Sequence, residues 1–189
     1  MDVAVSMSLL PAAFWFLRHG ETDWNAEGRS QGNVDIPLNA NGLAQAHRAA
    51  ALLRHRGIVS IVASPLSRAL DTAHIVAAAI GVADVAVDEG LREAAFGDHE
   101  GDKMAPWFDE WVGGTYTPPG GESFAALRAR ALAAVNRALS RPAPVLVVGH
   151  GALFRALRAE MALPMNVRTP NATPLFCEPG TPWRLTAAG

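Results

Sequence analysis

Short apolar runs alternate with helix-like segments along this sequence, and that alternation constrains the fold more than any other feature. The runs with the character of strands are residues 13–17, 58–63, 85–87, 142–148, 174–177 and 183–186. The helix-like segments are residues 40–54, 65–80, 122–140 and 152–163. Strands that alternate with helices in this way predict a layered α/β fold.

Two of the strand-like runs end in a histidine beside glycine, where a loop begins. Residues 13–17 lead into Arg18-His19-Gly20, and residues 142–148 lead into Gly149-His150-Gly151. Because layered α/β proteins bind ligands at the carboxyl ends of their strands, we expect both histidines at one site. Between them, Ser64-Pro65 has the residue types of an N-cap and first helical position for the helix over 65–80.

The segment 94–121 has no sustained period, because Gly and Pro interrupt it on both sides of a short helical patch at 107–111. We expect this segment to form a small cap over the site. Since no linker or repeat divides the chain, we expect a single domain over residues 1–189. Residues 1–10 are expected to be a loosely ordered leader.

Composition limits the classes of partner. The 189 residues carry 16 Lys and Arg against 18 Asp and Glu, a net charge of −2, which argues against a nucleic-acid partner. The apolar stretch at 9–17 is too short to cross a bilayer, so no membrane partner is expected. The single Cys177 fits a reducing compartment, and we expect a cytoplasmic protein. A homodimer is left open.

The residues around the two histidines resemble the signature of the histidine phosphatase superfamily, the phosphoglycerate-mutase-like proteins. The matching segments, in family order, are Leu17 to Thr22, Trp24-Asn25, Gln31-Gly32, Ser64 to Ala69, Leu91-Arg92-Glu93, Glu100-Gly101, Gly120 to Ser123, Val148 to Gly151 and Asn171. The resemblance covers residues 14–186. It implies the three-layer phosphoglycerate-mutase-like fold, with a mostly parallel central sheet and helices on both faces.

The resemblance also implies roles for two residues in phosphoryl transfer. It assigns His19 to become phosphorylated, in keeping with the nucleophilicity of neutral imidazole near pH 7. It assigns Glu93 as the general acid, which protonates the departing oxygen and later draws a proton from water. The predicted catalytic residues are Arg18, His19, Arg68, Glu93 and His150.

Phosphoryl transfer spreads negative charge over three oxygens, so it needs fixed donors around them. Arginine binds phosphate through planar, bidentate hydrogen bonds. Arg68 near a helix N-terminus is unfavourable unless an anion binds there, and the N–H of Gly151 offers a further donor. The residues expected to bind phosphate are Arg18, Asn25, Gln31, Arg68, His150 and Gly151.

The remaining histidines do not predict a metal site. His47, His55 and His74 have no partner at metal-ligand spacing, and His99 has no second His or Cys at the spacing of a zinc site. We therefore expect no metal and no other cofactor. His99 also departs from the family, which commonly has Trp there; it either alters packing under the cap or adds a titratable group near the substrate.

These residues predict a metal-independent phosphatase that hydrolyses a small phosphomonoester through a phosphohistidine at His19, similar to small phosphatases such as α-ribazole phosphatase. A phosphoglycerate mutase is the alternative. Since a mutase must bind a second anion and residues 94–116 contain only Lys103 as a cation, hydrolysis is favoured. A non-catalytic phospho-ligand binding module is the second alternative, although such a module is expected to lack one of the five catalytic residues.

Overall fold

A six-stranded sheet is the centre of the protein, in a computed structural model that describes residues 8–189. In chain order its strands are β1 (Phe14–Arg18), β2 (Ser60–Ala63), β3 (Val85–Val87), β4 (Val145–Gly149), β5 (Leu175–Glu178) and β6 (Arg184–Ala187). Across the sheet the order is β3-β2-β4-β1-β5-β6. The pairs from β3 to β1 are parallel, and β5 and β6 extend the sheet antiparallel.

Helices cover both faces of this sheet. They are α1 (Asp23–Ala26), α2 (Ala40–Leu53), α3 (Ser67–Ile80), α4 (Trp107–Val112), α5 (Phe124–Leu139) and α6 (Gly151–Glu160). Residues of α2 and α3 share one apolar cluster, and residues of α4, α5 and α6 share the other. The predicted three-layer α/β fold with a mostly parallel sheet is therefore confirmed.

The strand period of two determines which side chains enter each cluster. On β1, Phe14 and Phe16 pack with α5 and α6, whereas Trp15 and Leu17 pack with α2 and α3. All four side chains are buried. Because β1 is covered on both faces, its sequence is continuously apolar rather than alternating.

The register of β1 and β4 brings the two histidine loops together. Arg18 lies opposite Gly149 in the parallel pair, and the backbone N–H of His19 donates to the Gly149 carbonyl at 3.0 Å. Both strands therefore end at the same edge of the sheet, and His19 and His150, which follow them, lie side by side. Their ring centroids are 5.2 Å apart.

The predicted start of the helix over residues 65–80 is wrong. Helix α3 begins at Ser67 with Leu66 as its N-cap, and no side chain caps it. The hydroxyl of Ser64 instead lies 2.7 Å from His150 Nε2 and accepts the Leu66 N–H at 3.3 Å. Ser64 thus belongs to the histidine site rather than to a helix cap.

The predicted leader lies partly outside the described residues, since residues 1–7 are not among them. Residues 8–10 contact α5, although Ser8 and Leu10 are exposed. Leu9 is buried, the Leu10 N–H donates to Asn136 Oδ1 at 2.9 Å, and Asn136 Nδ2 donates to the Ser8 carbonyl. These contacts hold the segment against α5.

The segment predicted as a cap, 94–121, has mostly irregular structure around α4. Phe108 and Trp111 of α4 are buried, and their rings contact Phe96. A single bridge pairs Lys103 with Arg29 and so ties this segment to the loop after β1. Within residues 8–189, no helix has the length and apolar character needed to cross a membrane.

Candidate active site

A cavity of about 310 Å³ opens at the carboxyl ends of β1 and β4. Its walls come from the loop after β1, the segment 93–108, the start of α6 and Arg168. Among the predicted site residues, those that line it are Arg18, His19, Asn25, Gln31, Glu93 and Gly151. A larger cavity of about 510 Å³ lies beside the β2–β3 edge, and its lining includes none of the predicted site residues.

His19 is buried and held in a defined tautomer. Its Nδ1 lies 2.7 Å from the Gly20 carbonyl, which accepts hydrogen bonds only, so Nδ1 carries the proton and Nε2 has the lone pair. Burial, with the neighbouring Arg18 and Arg68, holds the pKa of His19 well below its usual range. The ring is therefore neutral at pH 7, as a nitrogen nucleophile requires.

The loop that carries His19 is fixed by close backbone packing and by the side chains of Asn171 and Glu21. Gly42, in the first turn of α2, packs directly on the Glu21 backbone and leaves no room for a Cβ. Asn171 Nδ2 donates to the His19 carbonyl at 3.0 Å. Glu21 accepts from Asn39 Nδ2 at 3.1 Å, so it joins the loop to α2.

Two arginines lie beside His19. Arg68 is completely buried, and its two terminal nitrogens donate to the carbonyls of Val34 and Gly32 at 3.0 and 2.6 Å. Arg18 donates through Nη1 to the Thr169 carbonyl at 2.7 Å. Burial lowers the pKa of both Arg18 and Arg68 to about 10, which leaves both positively charged at pH 7.

His150 is completely buried next to these groups. Because the Ser64 hydroxyl oxygen accepts from the Leu66 N–H, its hydrogen is available to His150 Nε2. In the tautomer in which the hydroxyl donates to Nε2, the neutral ring carries its proton on Nδ1. Burial and the nearby Arg68 hold the pKa of His150 well below its usual range, so this neutral form is the one present at pH 7.

Glu93 lies at the N-terminus of α6. Its Oε2 accepts from the Ala152 N–H at 2.8 Å, and its Oε1 accepts from the N–H groups of Leu153 and Ala94 at 2.9 and 3.1 Å. Arg130 supports the same segment through the carbonyls of Gly90, Arg92 and Glu93. The carboxylate is therefore fixed in the wall of the cavity that holds His19.

Asn25 and Gln31 are arranged by the capping of α1. The Thr22 hydroxyl donates to Gln31 Oε1 at 2.6 Å and also accepts the Asn25 N–H. Asn25 Nδ2 donates to Gln31 Oε1 at 3.3 Å. Since its oxygen is occupied in this way, Gln31 has its Nε2 amide group left as a donor.

Unsatisfied buried donors are concentrated in this site. Within residues 8–189, five buried side-chain nitrogens have no hydrogen-bond partner: Arg18 Nε, Gln31 Nε2, Arg68 Nε, Trp107 Nε1 and His150 Nδ1. Four of the five belong to residues predicted to bind phosphate. A buried donor without an acceptor costs about 1–3 kcal/mol, so a ligand with several acceptor atoms would satisfy these groups.

Three arginines that the sequence analysis did not assign also line the cavity, namely Arg29, Arg155 and Arg168. By contrast Lys103, the cation considered for the cap, is exposed and donates to the Glu27 carbonyl. The scarcity of cations in segment 94–116 therefore does not make the cavity poor in cations. The counted segment, 94–116, contributes none of the three arginines.

His99 takes part in packing and hydrogen bonding next to the cavity wall. Its ring stacks on Trp107 with centroids 4.4 Å apart, and its two nitrogens lie 3.0 Å from Asp102 Oδ2 and 2.9 Å from the Tyr116 hydroxyl. His99 is not among the residues that line the cavity. Of the two alternatives for this residue, the geometry supports packing within the cap segment.

The family model described as histidine phosphatase superfamily (branch 1) matches residues 14–174. The chain belongs to this superfamily. Among the residues that the structure describes, no group of three His, Cys, Asp or Glu side chains is arranged to hold a metal ion.

The chain is similar both to a protein named as a mutase and to a protein named as a phosphatase. A probable phosphoglycerate mutase GpmB of Yersinia pestis is 40% identical over 164 residues, which cover 80% of this chain and 76% of the relative. The solved structure of the mycobacterial glucosyl-3-phosphoglycerate phosphatase Rv2419c in complex with VO3 is 33% identical, with a TM-score of 0.81 over 92% of this chain and 96% of that chain. The structure of TTHB049 from Thermus thermophilus is 29% identical, with a TM-score of 0.77 over 94% and 99% of the two chains.

Proposed function

We propose that this protein is a metal-independent phosphatase that hydrolyses a small phosphomonoester through a phosphohistidine at His19. The observation that carries the proposal is the cluster of buried, unpartnered donors from Arg18, Gln31, Arg68 and His150. Few ligands besides a phosphoryl group accept from so many donors at once. The neutral His19, with its Nε2 lone pair, supplies a nucleophile at the same place.

In the first step, His19 Nε2 forms a bond to phosphorus while the bond from phosphorus to the ester oxygen breaks. The donors of Arg18, Arg68 and His150 stabilise the charge on the three other oxygens. Glu93, in its protonated form, gives its proton to the departing oxygen. The products of this step are an alcohol and a phosphorylated His19.

In the second step, Glu93 as carboxylate takes a proton from water. The water oxygen attacks phosphorus, the bond to His19 Nε2 breaks, and inorganic phosphate is released. Glu93 regains in this step the proton that it gave up in the first. The net reaction consumes one water, and neither step needs a metal ion.

A mutase is the second candidate, since a relative named as a probable phosphoglycerate mutase is 40% identical. Because Arg29, Arg155 and Arg168 line the cavity, the scarcity of cations in segment 94–116 no longer counts against a mutase. Hydrolysis is preferred because the chain matches only 76% of that mutase relative. The similarity to the glucosyl-3-phosphoglycerate phosphatase also spans 96% of that chain.

The proposal is tested with p-nitrophenyl phosphate in the presence of EDTA. Wild type is expected to hydrolyse it without added metal, whereas His19→Gln is expected to be inactive while remaining folded. His47→Gln serves as the matched control, because His47 is exposed on α2. Activity that EDTA abolishes and Mg²⁺ or Zn²⁺ restores, or activity that survives His19→Gln, would contradict the proposal.

A further inference from the structure

Arg155 lies in the same cavity as the nucleophile, one helical turn after the start of α6. Were Gly151 to carry a Cβ, that atom would lie 3.4 Å from Arg18 Cζ and 3.6 Å from Arg155 Nη1. The two guanidinium groups therefore flank one point on the cavity wall. The Arg155 guanidinium also lies over the Phe108 ring, 5.0 Å from its centroid, so an aromatic side chain holds it in place.

Arg168 reaches the cavity from the loop between α6 and β5. Within residues 8–189, neither Arg155 nor Arg168 makes an ion pair with a carboxylate. The third additional arginine, Arg29, is already committed, because it pairs with Glu27 at 3.4 Å and its Nε donates to the Gly101 carbonyl. Arg155 and Arg168 are thus the cations that remain for a ligand.

The charges in the cavity do not balance with a phosphoryl group alone. Glu93 is the single carboxylate among the lining residues, and three backbone N–H groups already bind it. A phosphoryl group held by Arg18 and Arg68 carries up to two negative charges. Burial lowers the pKa of Arg155, the charge of Glu93 partly opposes that shift, and repulsion from Arg168 adds to it.

No carboxylate makes direct contact with Arg155 among the described residues. Glu93 and Asp109 act on it only at a distance, and Asp109 Oδ1 accepts instead from Asn166 Nδ2 at 2.7 Å. Arg155 Nε reaches only the neutral Asn166 Oδ1, at 3.4 Å. Its terminal nitrogens therefore remain available at the cavity.

We propose that Arg155 and Arg168 form a second anion subsite, and that the natural substrate is a small phosphomonoester with a second anionic group, either a carboxylate or another phosphate. This inference rests on the proposed phosphatase function and specifies the substrate class of the same site. The phosphoryl group to be transferred binds next to His19, and the second anion binds on the side of the cavity that Arg155 and Arg168 line. The subsite increases affinity and orients the ester for attack.

The test compares substrates that differ only in the second anion. 3-Phosphoglycerate is compared with glycerol 3-phosphate to test a carboxylate as the second anion. Fructose 1,6-bisphosphate is compared with fructose 6-phosphate to test a second phosphate. Wild type is expected to favour the doubly anionic member of at least one pair by about tenfold or more in kcat/KM, the scale of one charged hydrogen bond.

Arg155→Gln is expected to remove most of that preference, chiefly through KM, because it deletes the charge that only the second anion uses. Arg155→Lys keeps the charge and should restore part of the preference. The control Arg48→Gln removes one positive charge from the exposed face of α2 and should leave the ratio unchanged. A wild type without preference in either pair, or an Arg155→Gln variant that loses activity equally on both members, would overturn the subsite.

Failure of the subsite is distinguishable from failure of the phosphatase proposal. If wild type hydrolyses p-nitrophenyl phosphate but shows no preference, the subsite alone is wrong. If it hydrolyses nothing, the phosphatase proposal is wrong, and calorimetric binding to His19→Gln then decides the subsite. Tighter binding of a doubly anionic ligand, weakened by adding Arg155→Gln, supports it; equal affinities within both pairs overturn it.

Discussion

Replacing Glu93 with glutamine tests the proton transfer at the leaving group. The isosteric amide keeps an oxygen for the N–H groups of Leu153 and Ala94 but turns an NH2 group toward the Ala152 N–H, which lies 2.8 Å from Oε2. One hydrogen bond becomes a contact between two donors. The free energy of unfolding should therefore fall by about 1–3 kcal/mol, the cost of an unsatisfied buried donor.

The catalytic effect of Glu93→Gln should depend on the leaving group. An alkyl alkoxide is too basic to depart without a proton, whereas p-nitrophenolate departs readily. Single-turnover phosphorylation by glycerol 3-phosphate should slow by about 10²–10⁴, the usual range for general acid catalysis, and phosphorylation by p-nitrophenyl phosphate should slow much less. The assay must isolate this step, because Glu93 also activates water in the second one.

The matched control is Glu89→Gln, since Glu89 is an exposed carboxylate four residues away that pairs with Arg92 at the surface. It should leave both rates unchanged. Equal losses for the two substrates in Glu93→Gln would reject Glu93 as the acid. It would then be a residue that positions the start of α6, and His150 would be the next candidate for the acid.

Three further outcomes follow from the site. Arg68→Ala should lower kcat for p-nitrophenyl phosphate by about 10²–10³, the scale for loss of one preorganised donor. A circular dichroism spectrum of an unfolded chain would mean that the loss of activity is not due to the missing donor. The pKa values of His19 and His150 lie well below 6.5 in the folded protein, so below pH 6.5 the unfolded chain binds more protons than the folded one. The free energy of unfolding, measured with urea, should therefore decrease there by up to about 1.4 kcal/mol per pH unit for each histidine. A constant free energy of unfolding would contradict those pKa values. Finally, 3-phosphoglycerate should release phosphate faster than it forms 2-phosphoglycerate even with 2,3-bisphosphoglycerate as primer, and the reverse order would make the protein a mutase.

Much of the fold could be predicted because its signals are local. The apolar run before Arg18 and the run before Gly149 both proved to be strands, with boundaries shifted by one to three residues. The beginning of α3 could not be predicted in this way. Ser64 has the residue type of an N-cap, but its hydroxyl bonds His150, which is 86 residues further along the chain. A tertiary contact therefore decided the role of Ser64.

The candidate site was predictable where residues form a compact motif and unpredictable where single residues converge. His19 and Arg18 are adjacent in sequence, and their spacing indicates a site. Arg155 and Arg168 have the ordinary sequence context of a helix and a loop, and only the tertiary structure places them at the cavity. One signal was available, because Arg155 follows Gly151 by four residues and so lies on the same face of the helix.

The most direct test of the account is to trap the covalent intermediate. Wild type mixed with a radiolabelled phosphomonoester and quenched within milliseconds should contain up to one phosphoryl group per chain, labile in acid and stable in alkali, and peptide mapping should place it on His19. His19→Gln should contain none, and His47→Gln should match wild type. Label on a serine or an aspartate, or turnover without any trapped phosphoryl group and undiminished in His19→Gln, would contradict the account.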